Sequence, residues 1–313
     1  MVRALDYRVY RFRWGLAGRW GYTPAFPLHL DLELTNRCNL HCVMCARQYN
    51  SQTVQGYMSS ELAMAALDEG AANGLRSVKF NWRGEPTLHP NLATLVAYAK
   101  RLGILETQLN TNGQIIDKHL AKDLVDAGLD RIIFSVDGAS AKTYESIRVG
   151  GSYDRLYRNI TGLVTYRKSR FQHKPLVRVQ MVEMKTNTHE VHDFIECWGN
   201  GWADEVRVHR YSDRGGGGLG RDDQSRGERR FCRQPFQRLT VAWNGVVTGC
   251  CGDWGLQNAL GSMKIEPLKV LWNSPKLAAQ RDKLRWLEHQ KIPGCANCFV
   301  NDSYKWAKVQ NAK

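Results

Sequence analysis

Between residues 28 and 210 the sequence repeats one alternation six times: a short apolar run, then a longer stretch with helical spacing. In the first run Leu28, Leu30, Leu32 and Leu34 alternate with His29, Asp31 and Glu33, the period of a β-strand. Further strands are predicted at Arg76–Trp82, Ile104–Asn110, Arg131–Val136, Leu176–Met184 and Ala203–Arg210. Helices are predicted between them: one opening at Ser59-Ser60-Glu61, then Asn91–Arg101, Ile115–Ala127 with Gly128 as its stop, Tyr153–Arg167 and Thr188–Trp198. Only the helix of the sixth unit is left undefined. Parallel neighbours need a long crossover, and a helix is the usual one. The expectation is an α/β fold, a parallel sheet sheathed by helices, with six units where a complete barrel has eight.

The chemistry is concentrated where the first strand ends. Cys38-Asn39-Leu40-His41-Cys42-Val43-Met44-Cys45 places three cysteines with three residues and then two between them. Loops that short turn their thiolates to one side, and soft thiolates select iron–sulfur clusters or zinc. Three ligands leave one corner of a four-iron cube open to a small molecule. Zinc wants a fourth Cys or His nearby, and His41 is available for that alternative.

The C-x3-C-x2-C pattern directly after a strand resembles the signature of the radical S-adenosylmethionine (AdoMet) enzymes. The resemblance covers roughly residues 28–210. It implies a partial (β/α)6 TIM-like barrel and a [4Fe–4S] cluster on Cys38, Cys42 and Cys45, with AdoMet chelated at the open iron. It also implies reductive cleavage of AdoMet to a 5′-deoxyadenosyl radical, with a reductant such as flavodoxin or ferredoxin as partner. Arg83-Gly84-Glu85-Pro86 resembles the family's Gly-Gly-Glu-Pro motif, which holds the AdoMet ammonium. A cation needs acceptors, and glycine lets backbone carbonyls approach closely. Gly84 and Glu85 are therefore candidate cofactor residues, and Arg83 is a departure from the first glycine. Leu109-Asn110-Thr111-Asn112-Gly113 and Ser135-Val136-Asp137-Gly138 end the third and fourth strands, where ligand-binding residues of parallel sheets gather. By resemblance Asn112 and Ser135 are candidates for the AdoMet ribose, whereas Asp137 is also readable as a helix cap. Arg148 resembles an arginine that reaches the AdoMet carboxylate, with a solvated helix-end arginine as the alternative. Val179–Met181 would line the adenine or simply pack.

A second cysteine set follows. Cys232 precedes Gly245 by twelve intervening residues, four more separate Gly245 from Cys250, and Cys295 and Cys298 form a C-x2-C. Asn244-Gly245 between two β-like runs predicts a type I′ hairpin. Two cysteine pairs also suit a zinc ribbon. Behind a radical AdoMet barrel, the spacing resembles the SPASM/twitch extension, which implies a small C-terminal iron–sulfur domain. No cysteine follows Cys298, so one auxiliary [4Fe–4S] cluster on Cys232, Cys250, Cys295 and Cys298 is expected. Cys197 reads as core. Cys251 is left over beside a ligand and is the candidate hydrogen-atom donor to a substrate radical, with a spare thiol and a fifth ligand as alternatives.

The expected divisions are 1–27, a basic aromatic extension; 28–211, the barrel; 212–230, a Gly-rich linker around Gly215–Gly218; and 231–313, the auxiliary cluster domain. Tyr7, Tyr10, Arg11 and Trp14 predict a short helix packed on the barrel, with contact to substrate or to an anionic surface as the alternative. No apolar run approaches membrane-spanning length. The N-terminus lacks the apolar core of a secretory signal. Nine clustered cysteines then read as metal ligands in a reducing, cytoplasmic setting. The net charge of +14 points to an anionic partner or to a merely basic enzyme, and disfavours a polycationic aminoglycoside substrate. By resemblance the function is C–H hydrogen abstraction, followed by epimerisation or oxidation of a small carbohydrate-type substrate. The lead-in before Cys38 is too short for a peptide-binding domain, which tilts against the alternative, modification of a ribosomal peptide. A rival of another class is a zinc-containing nucleic-acid-binding protein using the arginines and aromatics of residues 1–22.

Overall fold

The structure is a computed structural model and describes residues 2–48, 54–211, 231–295 and 298. The proposed linker at 212–230 and the tail beyond Cys298 lie outside the described residues. Among the described residues nine strands form one sheet: β1 (His29–Leu32), β2 (Ser77–Lys79), β3 (Glu106–Thr111), β4 (Arg131–Ser135), β5 (Leu176–Glu183), β6 (Glu205–Arg210), β7 (Arg238–Val241), β8 (Val246–Thr248) and β9 (Ala259–Ser262). Ten α-helices accompany them among the described residues: α1 (Val2–Trp20), α2 (Ser60–Ala72), α3 (Leu92–Arg101), α4 (Lys118–Asp126), α5 (Ala141–Ile147), α6 (Tyr153–Ser169), α7 (Val191–Gly199), α8 (Gln234–Gln237), α9 (Leu268–Trp272) and α10 (Pro275–Arg285).

The strand order is β6-β5-β4-β3-β2-β1-β7-β8-β9. β1 to β6 are parallel, as the alternation predicts, and β7 is parallel to β1. β8 and β9 then run antiparallel. The segment after residue 230 thus extends the barrel sheet on the far side of β1.

Two chemistries share each strand. Leu30, Leu32, Val78, Phe80, Leu109, Phe134, Val179 and Val206 pack into one apolar core with Leu67, Leu95, Leu124, Ile160 and Trp198 of the outer helices. Each fully buried leucine stabilises by about 1.5–3 kcal/mol. The alternate positions point to the other, inner face, because successive strand side chains take opposite sides. Most of those positions are polar, among them Asp31, Lys79, Gln108, Arg131, Arg178, Gln180, Glu205 and Arg207, with Ile133 an apolar exception on β4.

Caps explain where helices begin. Ser59, Asp117, Ser140, Ser152 and Ser274 each accept a backbone N–H at a helix start. The Asp117 cap delays α4 to Lys118, three residues after the predicted start at Ile115. α5, capped by Ser140, is an additional helix between β4 and α6. The hairpin at Asn244-Gly245 exists, but its turn is not type I′. Among the described residues Asn244 has no positive φ, while Gly245 has φ 92° and its N–H donates to Ala242 O at 2.8 Å. This is a three-residue loop with a left-handed glycine after an ordinary turn. α1 is longer than the short helix expected. It packs Tyr10 and Ala17 into a cluster with Leu28, Phe236, Leu284 and Ile292.

Candidate functional site

Two strand exits and one helix end converge on the cysteine loop. From β2, Glu85 donates its backbone N–H to Arg37 O at 2.8 Å. Gly84 lies so close that a Cβ there would stand 2.2 Å from Thr35 O and 2.5 Å from Arg37 O. Glycine at this position is thus required by the chain that leads into Cys38. From β3, the Asn112 amide donates to Asn39 Oδ1 at 2.8 Å and reaches Cys38 Sγ at 3.9 Å. From the end of α5, Ile147 O and Val149 O accept from Val43 N–H (3.0 Å) and His41 N–H (2.9 Å). Arg148 Nη1 lies 3.8 Å from Cys42 Sγ.

Glu85 is 3% exposed. Its Oε1 accepts from Thr87 N–H (3.2 Å), Thr87 Oγ1 (2.6 Å) and Thr111 Oγ1 (2.7 Å), and its Oε2 from Asn112 N–H (2.7 Å). Burial raises its pKa, against these four hydrogen bonds. Among these contacts Oε2 accepts one bond, so it keeps acceptor capacity for a cation. Asp137 does not cap the next helix; Ser140 does. Asp137 is wholly buried and holds Arg148 by Nε at 2.7 Å and Nη2 at 2.6 Å, because a buried carboxylate needs a charge partner more than a helix needs a second cap. Arg148 is accordingly not a solvated helix-end residue. Ser135 is half-buried at the carboxyl end of β4, two residues before Asp137.

Burial lifts the Cys38 thiol to about 11 and raises Cys42 too, with Arg148 opposing the rise at Cys42. Ligation by these thiols would therefore release protons. Among the described residues no three ligating side chains are already disposed to hold one metal ion. In a cubane cluster each thiolate binds a different iron, so its sulfurs stand further apart than around a single ion. The donor set, a buried Cys42 thiol and the half-buried thiols of Cys38 and Cys45 with Asn112 and Arg148 alongside, fits such a cluster.

The second set gathers at the other end of the sheet. β8 runs antiparallel to β7, so Cys250 emerges at the amino end of β1, opposite the exit towards Cys38. Cys250 is half-buried, with Cys251, Cys232 and Cys298 in its electrostatic surroundings; desolvation first, then those thiols, push its pKa well up. Cys232 and Cys295 belong to the cluster around Phe236. Gly252 N–H donates to Cys250 Sγ at 3.2 Å, the kind of bond that tunes iron–sulfur clusters. Four thiols at this place fit one cluster. Cys251 has its thiol 3.7 Å from Gln234 Oε1, and its carbonyl accepts from Trp82 Nε1 at 2.6 Å.

One connection escaped sequence reasoning. Arg83 pairs Glu33 through Nε and Nη2, both at 2.7 Å, donates from Nη1 to Trp254 O at 2.9 Å, and lies 4.1 Å from the Trp82 ring centroid. The signal was a charged Glu33 on the inward-facing register of β1, which demands a cation. The polar inner wall was legible in the same way, from Lys79, Arg178, Gln180 and Arg207 alternating with apolar neighbours.

Residues 32–177 match the sequence profile of the radical SAM superfamily, and residues 232–299 that of the SPASM iron–sulfur cluster-binding domain. Among curated proteins the chain is similar to a tungsten-containing aldehyde ferredoxin oxidoreductase cofactor-modifying protein of Pyrococcus furiosus, 32% identical over 51% of this chain and 44% of that protein. It is also similar to an AdoMet-dependent heme synthase of Methanosarcina barkeri, 31% identical over 53% of this chain and 47% of that protein. The match thus spans less than half of these relatives' length. In fold it resembles Streptococcus suis SuiB bound to precursor peptide SuiA, with TM-score 0.71, 15% identity, and 95% and 79% of the two chains covered. It likewise resembles BtrN in complex with AdoMet and 2-DOIA, with TM-score 0.59, 17% identity, and 87% and 93% covered. The chain belongs to the radical SAM superfamily and carries a SPASM domain, and with that membership come AdoMet, a [4Fe–4S] cluster and auxiliary iron–sulfur binding.

Proposed function

We propose that this protein takes a hydrogen atom from a carbon of a small, polar, carbohydrate-type substrate, which leaves epimerised or oxidised. The observation supporting this reading is the inner face of the sheet. Lys79, Gln108, Gln180 and Arg207 offer a polyhydroxylated molecule replacements for its bonds to water. A pocket built of such groups also discriminates strongly against analogues lacking the matching hydroxyls. When bound, the cluster and AdoMet supply the electron and the hydrogen-abstracting group.

The remaining tasks fall to the chain. Cys38, Cys42 and Cys45 ligate the first cluster; Cys232, Cys250, Cys295 and Cys298 ligate the auxiliary one. Gly84 lets the β2 exit close on the cysteine loop, and Glu85 meets the AdoMet ammonium through Oε2. Arg148, fixed by Asp137, meets the AdoMet carboxylate, and Asn112 and Ser135 meet the ribose. For epimerisation, Cys251 would give a hydrogen atom to the substrate radical once its thiol leaves Gln234. Its thiyl radical would regain an electron from the auxiliary cluster and a proton from solvent. For oxidation, the substrate radical would instead lose a proton and pass its electron to that cluster. Peptide modification is the second reading, favoured by the extent of the fold likeness to SuiB, which was described with its precursor peptide.

The test is 5′-deoxyadenosine formation by reduced, cluster-loaded protein with pools of sugars or of short peptides. Stimulation by the sugar pool is expected. Cys251→Ala should keep both clusters and that stimulation, yet lose an inverted product. In deuterated water the parent should place one deuterium at the inverted carbon. Stimulation by peptides alone would establish the second reading, and an oxidised product without solvent deuterium would remove the donor role of Cys251.

A further inference from the structure

α1 carries two apolar faces, and the body of the protein uses one. Tyr10 and Ala17 are buried, and Gln237 Nε2 donates to Trp14 O at 2.8 Å, which fixes the helix on α8. Leu5, Val9, Phe12 and Leu16 recur at helical spacing on a different face. Leu5 is 64% exposed, Val9 50%, Phe12 68%, and Trp20 at the helix end 73%. Arg8 and Arg19 flank this stripe on one side and Arg13 on the other. Arg285 Nη2 binds Gly21 O at 3.1 Å and so ties the segment bearing the exposed Trp286 to the end of α1.

We infer that this face of α1 docks the protein on an anionic lipid surface. Among the described residues no helix is long and apolar enough to cross a membrane, so α1 would lie in the interface. Its shape supports that occupant. The exposed side chains form a stripe along one helix, and a bilayer takes Trp and Phe at headgroup depth. Its charge supports it too. The sequence of α1 holds five arginines and one aspartate, so two copies placed face to face would bring like charges together. The chain's net charge of +14 adds long-range attraction to an anionic surface. Arginine stems can lie along the apolar stripe with their guanidinium groups at the phosphates.

The test uses the full, cluster-loaded chain and sedimentation with vesicles of phosphatidylcholine alone or mixed with phosphatidylglycerol. Binding to the mixed vesicles only, weakened by salt, is expected. Phe12→Ser with Trp20→Ser should abolish it. Arg8→Gln and Arg19→Gln should weaken it by about fivefold for each arginine removed. These side chains are exposed, so the variants should keep the parent's circular dichroism and iron content. Equal binding to both vesicles, no binding to either, or double-serine variants that bind as the parent does would overturn the proposal. So would concentration-dependent self-association lost in the serine variants without vesicle binding, since a second copy would then cover the face.

Discussion

At Arg83 the family pattern and this chain part company, and the structure says why. The side chain that replaces the motif's first glycine neutralises Glu33, whose side chain is fully buried, and reaches across to Trp254. Restoring the motif by Arg83→Gly should therefore destabilise the protein. Removing one partner of a buried pair typically costs about 3–5 kcal/mol. Urea denaturation measures it, and a variant as stable as the parent would show that Glu33 is satisfied without Arg83. The sequence flagged Arg83 only as a departure, because nothing local announces a partner fifty residues earlier. Gly84 was legible as a place of close approach. What approaches is the Thr35–Arg37 backbone, a contact between loops that no local pattern carries. The cap alternative for Asp137 fails for the same reason: its partner Arg148 sits beyond a helix the alternation did not reveal.

At the scale of elements, the six parallel strands could be read directly, since buried alternation and helical spacing are local properties. Strand ends could not, because β2 pairs over only three residues before the chain bends towards the site. On the inner face, β4 to β6 bring Arg131, Arg178 and Arg207 around Glu205. Burial alone would raise the Glu205 pKa, but the bonds from Arg131 and Arg178 outweigh it and hold it down to about 2. A carboxylate depressed on folding stabilises fully above its unfolded pKa and loses that contribution as pH falls through its folded value. Glu205→Gln should thus lower stability at pH 7 by about 1 kcal/mol, given the partial exposure of the cluster. The deficit should shrink between about pH 4.5 and pH 2. Urea midpoints across that range check it, and a deficit independent of pH would assign the effect to packing.

The cysteine sets belong to two ends of one sheet. Two [4Fe–4S] clusters would bring about eight irons per chain. Replacing Cys38, Cys42 and Cys45 together by Ala should leave about half the iron, and loss of all iron from a folded variant would contradict two independent sites.

In the whole molecule, the C-terminal segment continues the barrel sheet through β7, and the Trp82 and Arg83 side chains join its cysteine loop to the β2 exit. The cysteine spacing, by its resemblance to the SPASM/twitch extension, implied a second cluster set. It could not show where that set lies, because this depends on β7 pairing with β1 across two hundred residues. AdoMet cleavage, as proposed, falls to the first cysteine set and its surrounding loops. The most direct measurement is chromatographic: anaerobic, cluster-loaded and reduced protein incubated with AdoMet, then assayed for 5′-deoxyadenosine. The predicted result is slow formation of 5′-deoxyadenosine without substrate, abolished by replacing Cys38, Cys42 and Cys45. Intact AdoMet with the parent protein, or a colourless protein holding zinc in place of iron, would contradict it.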